Sequence, residues 1–140
     1  MTRVLIGLLT ASGVALLLAG CGSGSSSNNV PAPSPTTPVT TPPGAVATNT
    51  ITITNNTVSP KDIVVAVGAQ VTFVNNDARP HDMESNPHPE HTDCPALAQV
   101  GFLNPGQSRQ SGNLTVARIC GFHDHTLADV TGLQGSITIR

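Results

Sequence analysis

All five histidines of this 140-residue chain fall in two groups: His81, His88 and His91 in one stretch, His123 and His125 in another. Cys120 opens the second group as Cys-Gly-Phe-His-Asp-His. Imidazole suits borderline ions such as copper, zinc and nickel, and thiolate adds a preference for softer ones such as Cu(I). A thiolate and an imidazole on one tight loop have a fixed separation, and a distant histidine from another strand closes the triangle. The spacing therefore points to a metal site that joins Cys120 and the imidazoles just after it to a histidine from the earlier group. Two residues apart on extended backbone, His123 and His125 share a face, so both can approach one ion. His88 and His91 lie among prolines and acids and read as ordinary surface histidines. Met83 reads as a gap-filler, and Asp82, Glu84 and Asp93 read as solvated or supporting groups. Asp124, between two histidines, is placed to accept an imidazole N–H.

The amino terminus says where this chemistry takes place. Arg3 precedes an apolar run from Val4 to Leu18, the pattern of a secretory signal and too short to span a membrane comfortably. Leu18-Ala19-Gly20-Cys21 resembles the bacterial lipoprotein box, which implies cleavage before Cys21 and acylation of its thiol and new amino group. More than one acyl chain gives a stable bilayer anchor. Residues 21–49, rich in Ser, Thr, Pro and Gly and free of charge, have nothing to bury and read as a disordered tether. The expected organisation is a signal over 1–20, an anchored tether over 21–49 and a domain over 50–140, held in the cell envelope outside the cytoplasm.

That compartment opens a second reading of the cysteines. Once Cys21 carries lipid, Cys94 and Cys120 remain, and such a pair in an oxidising compartment reads as a disulfide. The bond would consume the thiolate and leave an all-imidazole site suited to Cu(II) or Zn(II). Both readings stand at this point.

The elements that must position these groups are strands. Ile51 and Ile53, Ile63 to Val67, Val71 and Phe73, Leu114 to Cys120, and Ile137 with Ile139 alternate or run apolar between turn residues, and no segment shows helical period. This predicts an all-β domain, an antiparallel sandwich or barrel. Residues 81–99, polar and broken by proline, read as a long functional loop with a helical turn near Ala96 to Val100. Eight acids face only five basic residues beyond Arg3, with no basic cluster, so nucleic acid is not an expected partner.

The stretch Val67 to Asn75 (Val-Gly-x-x-Val-x-Phe-x-Asn), then Pro80-His81, the late Cys120 loop and the Gly135-Ser136-Ile137 ending resemble the cupredoxins, the blue-copper proteins, over most of residues 50–140. The resemblance implies a Greek-key β-sandwich or barrel, bound copper, one-electron transfer to an unknown redox or copper-exchange partner, and ligands His81, Cys120 and His123 or His125. Where the family usually carries an axial Met, this chain has Leu133, which cannot ligate. An apolar axial neighbour favours Cu(I) and raises the potential, with Met83 or Glu84 as other axial candidates. The alternative is a copper-binding or delivery module with a Cys94–Cys120 disulfide and a histidine-only site. A secreted sandwich with histidines and a disulfide also bears comparison with copper-zinc superoxide dismutases, but their ligand spacing is absent. No Ser/His/Asp arrangement, phosphate loop or carboxylate pair stands out, so the expectation is a binding protein and not an enzyme.

Overall fold

The computed structural model describes residues 38–140; the signal, Cys21 and the tether up to residue 37 lie outside the described residues. No helix among them is long and apolar enough to cross a membrane. The strands are β1 (Val46–Ala47), β2 (Thr50–Thr54), β3 (Thr57–Ser59), β4 (Asp62–Val65), β5 (Thr72–Asn75), β6 (His81–Ser85), β7 (Gly101–Leu103), β8 (Ser108–Gln110), β9 (Arg118–Asp124) and β10 (Gly135–Ile139). They form a six-stranded sheet, β1-β4-β10-β9-β6-β7, and a four-stranded sheet, β3-β2-β5-β8.

Strand side chains alternate between two faces, and most strands bury an apolar set between the sheets, while Phe102 of β7 and Ile119 of β9 face outward. Ile51 and Ile53 of β2 are buried while Thr50 and Thr54 are exposed. From the other sheet, Ile137 and Ile139 of β10 meet Ile63 and Val65 of β4 in register. Phe73 and Phe122, one from each sheet, pack edge to face with centroids 5.3 Å apart, an arrangement worth about 0.5–1.5 kcal/mol beyond burial itself. With no Trp or Tyr in the chain, branched aliphatics fill most of the rest of the core, joined by Met83, Cys94 and Cys120.

Three features depart from expectation. The sheets are mixed: β2–β5, β4–β10 and β1–β4 are parallel. Within the stretch read as tether, Val46 and Ala47 pair with Ile63 and Val64. Their side chains are exposed, so backbone pairing holds them and hydrophobic patterning gives no signal. The most consequential departure is β6. Residues 81–85, read as the start of a loop, form a strand between β7 and β9. Its inward positions, His81, Met83 and Ser85, are all buried, but two are polar and carry no apolar alternation. Leu114 is buried, yet the later strand starts only at Arg118 and runs on to Asp124. A 3-10 turn at Pro95–Gln99 fills the place of the expected helical turn.

Candidate metal centre

The register of β6 against β9 sorts the candidate residues. Met83 lies opposite Asp124 and Ser85 opposite Phe122, while Glu84 lies opposite His123. Phe122 is in the core, so alternation sends Asp124 and its partner side chains inward and turns His123 with Glu84 to the outer face of the sheet. His125 follows at the start of a 3-10 turn (His125–Leu127).

Inside, His81 is fully buried between two carboxylates. Its Nδ1 lies 2.6 Å from Asp124 Oδ2 and its Nε2 lies 3.0 Å from Asp77 Oδ2. Both ring nitrogens can donate only in the imidazolium form, and a charge with no exposed surface requires partners of this kind. Asp124 uses its other oxygen, Oδ1, to accept from the Thr126 N–H and hydroxyl and the Leu127 N–H, capping the turn that carries His125. Asp77 also accepts from the Asn55 and Asn56 amides. Burial alone would raise the Asp77 carboxyl, but those amides and then His81 outweigh it and hold it below its usual range. Both nitrogens of His81 are therefore committed to carboxylates.

Outside, four other side chains converge. One ring nitrogen from each of His88, His91, His123 and His125 lies within 4.8 Å of the other three. The two pairs that are nearest by ring centroid are His91–His125 at 4.8 Å and His88–His125 at 5.0 Å. His125 Nδ1 and His91 Nε2 are 3.1 Å apart, close to the roughly 3.3 Å between two nitrogens on one tetrahedral ion with bonds of about 2.05 Å. His123 is 3 % exposed. Its Nδ1 lies 2.8 Å from Asn86 Oδ1, so Nδ1 carries the proton and Nε2 presents a lone pair. That Nε2 is buried and has no hydrogen-bond partner among the described residues, an arrangement that costs about 1–3 kcal/mol unless something binds there. Burial, and then His91, His88 and His125 nearby, push the His123 imidazole below its ordinary value against the opposing pull of Asp124. A neutral ring is the form that ligates.

The loop after β6 delivers His88 and His91. Its ends are tied down: the Asn86 amide donates to Gly121 O, the Asp93 amide to Asn86 O, and the His91 amide to Pro87 O. Ser85 Oγ donates to the His91 carbonyl, and His91 adopts φ 52°, a left-handed conformation for which histidine is enriched among non-glycine residues. Gly121 leaves room for Asn86 to lie across β9; a Cβ there would run into the Asn86 side chain. One residue past the loop, Cys94 is joined to Cys120 by a disulfide, which fastens the loop to the same strand that carries His123.

The residues expected from sequence are thus divided. His123 and His125 come together. His81 lies on the opposite side of the sheet, held by carboxylates. Cys120 is buried in the core with its sulfur in the disulfide, so the thiolate triangle with His81 is not assembled. Met83 and Leu133 are core side chains, 1 % and 0 % exposed, on the far side from the histidine cluster in the case of Met83. Cys21 lies outside the described residues. His88 and His91, read as bland, complete the cluster. A signal for them was present: a Cys94–Cys120 pairing brings the loop that holds them next to the strand that holds His123.

No family model matches the chain, and no curated protein matches it in sequence. Solved structures do match. A reduced tryptophan-to-tyrosine variant of amicyanin aligns with TM-score 0.51 and 18% identity, over 71% of this chain and 85% of that one. An oxidized methionine-to-lysine variant of amicyanin gives TM-score 0.50 and 18% identity, over 69% and 83%. A purple cupredoxin from Nitrosopumilus maritimus gives 0.49 and 19% identity, over 66% and 100%. Residues 38–140 therefore have the cupredoxin fold, with a histidine cluster on the outer face of the larger sheet.

Proposed function

We propose that this protein is an extracytoplasmic copper-binding module, with the ion held by His88, His91, His123 and His125, that stores or delivers that ion. The observation that carries the reading is the convergence of four imidazoles around the buried Nε2 of His123, which has no hydrogen-bond partner among the described residues. An all-imidazole donor set accepts several first-row ions, and among divalent ones Cu(II) binds such a site most tightly. The cupredoxin fold adds support for copper. One-electron transfer through a thiolate-bound ion, the function the family resemblance implies, would need Cys120 released from its disulfide and turned out of the core.

The disulfide supports an oxidising compartment, and the Leu18–Cys21 box supports a lipid anchor at Cys21 ahead of the tether. Cys21→Ser should move the protein from the membrane to the soluble fraction. The metal reading is tested by competition titration with Cu(II) and Zn(II). One tightly held copper per chain, preferred over zinc and lost in His123→Ala, supports it; no stoichiometric binding overturns it.

A further inference from the structure

The four imidazoles are not held alike. His123 is buried, with its Nδ1 committed to Asn86. His125 sits at the start of a turn capped by Asp124, which is itself locked to His81. His91 is half-buried, with its amide donating to Pro87 O and its carbonyl accepting from Ser85 Oγ. His88 is exposed, and among the described residues its ring makes no hydrogen bond, although its centroid lies 5.0 to 5.7 Å from the other three. Its neighbours Pro87 and Pro89 fix their own φ angles, so the backbone beneath His88 is restrained while its side chain is free.

We infer that His88 is the exchange ligand of the site: the ion enters and leaves through the position His88 occupies, and an incoming nitrogen donor takes that position when the ion is handed on. This rests on the copper reading above and deepens it. An exposed side chain changes rotamer in picoseconds to nanoseconds, whereas freeing His123, His125 or His91 requires breaking hydrogen bonds or moving the loop. Three fixed imidazoles with a fourth position that opens is also the ligand arithmetic of metal sites that accept an outside ligand, as opposed to closed structural ones. The exchange is a ligand substitution with no change of oxidation state: the His88–metal bond breaks as the bond to the incoming donor forms, and the imidazole leaves neutral.

The test compares His88→Ala, His91→Ala and His123→Ala, each loaded with Cu(II), by affinity, by rate of copper loss to a chelator, and by electron paramagnetic resonance with and without added imidazole. His88→Ala should keep one copper with affinity reduced by no more than about 100-fold, the range seen for losing a supporting contact. It should also lose copper faster than wild type and recover the wild-type resonance spectrum when imidazole is added. His123→Ala should lose more affinity and show no such recovery. The inference is overturned if His88→Ala loses as much affinity as His123→Ala, if imidazole changes nothing, or if the variant's spectrum and off-rate match wild type. Wild-type protein that takes up no copper overturns the copper reading itself, a result distinct from these.

Discussion

One strand pair builds two histidine environments of opposite kind. On the inner face of β6 and β9, His81 is enclosed by Asp77 and Asp124, and every polar atom of the ring is used. On the outer face, His123 and its three companions bring one ring nitrogen each within 4.8 Å of the others, and His123 Nε2 is buried with no partner among the described residues. Residue type is the same; what differs is the neighbour that alternation supplies. Carboxylates on both ring nitrogens hold His81 in place, whereas an amide oxygen from Asn86 fixes a neutral tautomer of His123 and leaves a nitrogen for an ion. Asp124, flanked by two cluster histidines but facing inward, joins the two environments.

The comparison breaks most visibly at its inner half. Removing one partner of a buried charge leaves the other uncompensated, at about 3–5 kcal/mol, so Asp124→Ala should lower unfolding stability by that order in denaturant titration. His91→Ala, at a half-exposed position, should change metal-free stability by only about 0.5 kcal/mol while weakening copper binding. Equal stability losses in the two variants would erase the distinction.

The disulfide comes next. By loop entropy, a crosslink at a sequence separation of 26 contributes about 3–4 kcal/mol, so Cys94→Ala with Cys120→Ala should lower stability by roughly that amount. Because Cys120 faces the core, the free-thiol single variant Cys94→Ala should still show no intense thiolate–copper band. A smaller effect belongs to the outer half: Asn86→Ala removes the group that sets the His123 tautomer and should weaken copper binding about 10- to 100-fold with little change in metal-free stability. Gly121→Ala should act in the same direction by displacing Asn86.

How much of this was legible in the sequence follows from which signals are apolar. Alternating isoleucines marked β2 and β10, and Val71 with Phe73 marked β5, because their inward faces are hydrophobic. Strand β6 was hidden because His81 and Ser85 occupy inward positions that hydrogen bonds, and not apolar burial, make acceptable. Strand β1 was hidden because two exposed residues hold it by backbone pairing alone. The metal-type side chains were legible, but their grouping was not. His81 follows the Pro80-His81 pattern of the cupredoxin resemblance, yet Asp77 and Asp124, distant from it or from each other in sequence, claim both its nitrogens. His88 and His91 gained their place from loop closure through Asn86 and Cys94, which no local pattern encodes.

The smallest expected effect concerns Asp77. Its folded-state carboxyl lies below its ordinary value, so the unfolded chain takes up its proton first. The stabilisation is present above about pH 4 and is lost as pH falls through the lower folded value. Asp77→Asn should therefore give a shallower loss of stability as pH falls below about 4, measured by unfolding across the acid range; an unchanged slope would separate Asp77 from the His81 network.

The most direct test of the account is the set of donor atoms on copper. The metal-free protein, with its free thiols counted by thiol assay, is titrated with Cu(II) and read by visible absorption and electron paramagnetic resonance. Four imidazoles predict weak visible absorption and nitrogen hyperfine structure at one ion per chain, unchanged in Cys120→Ser. An intense charge-transfer band that disappears in Cys120→Ser would mean the thiolate is the ligand, and would contradict the histidine centre described here.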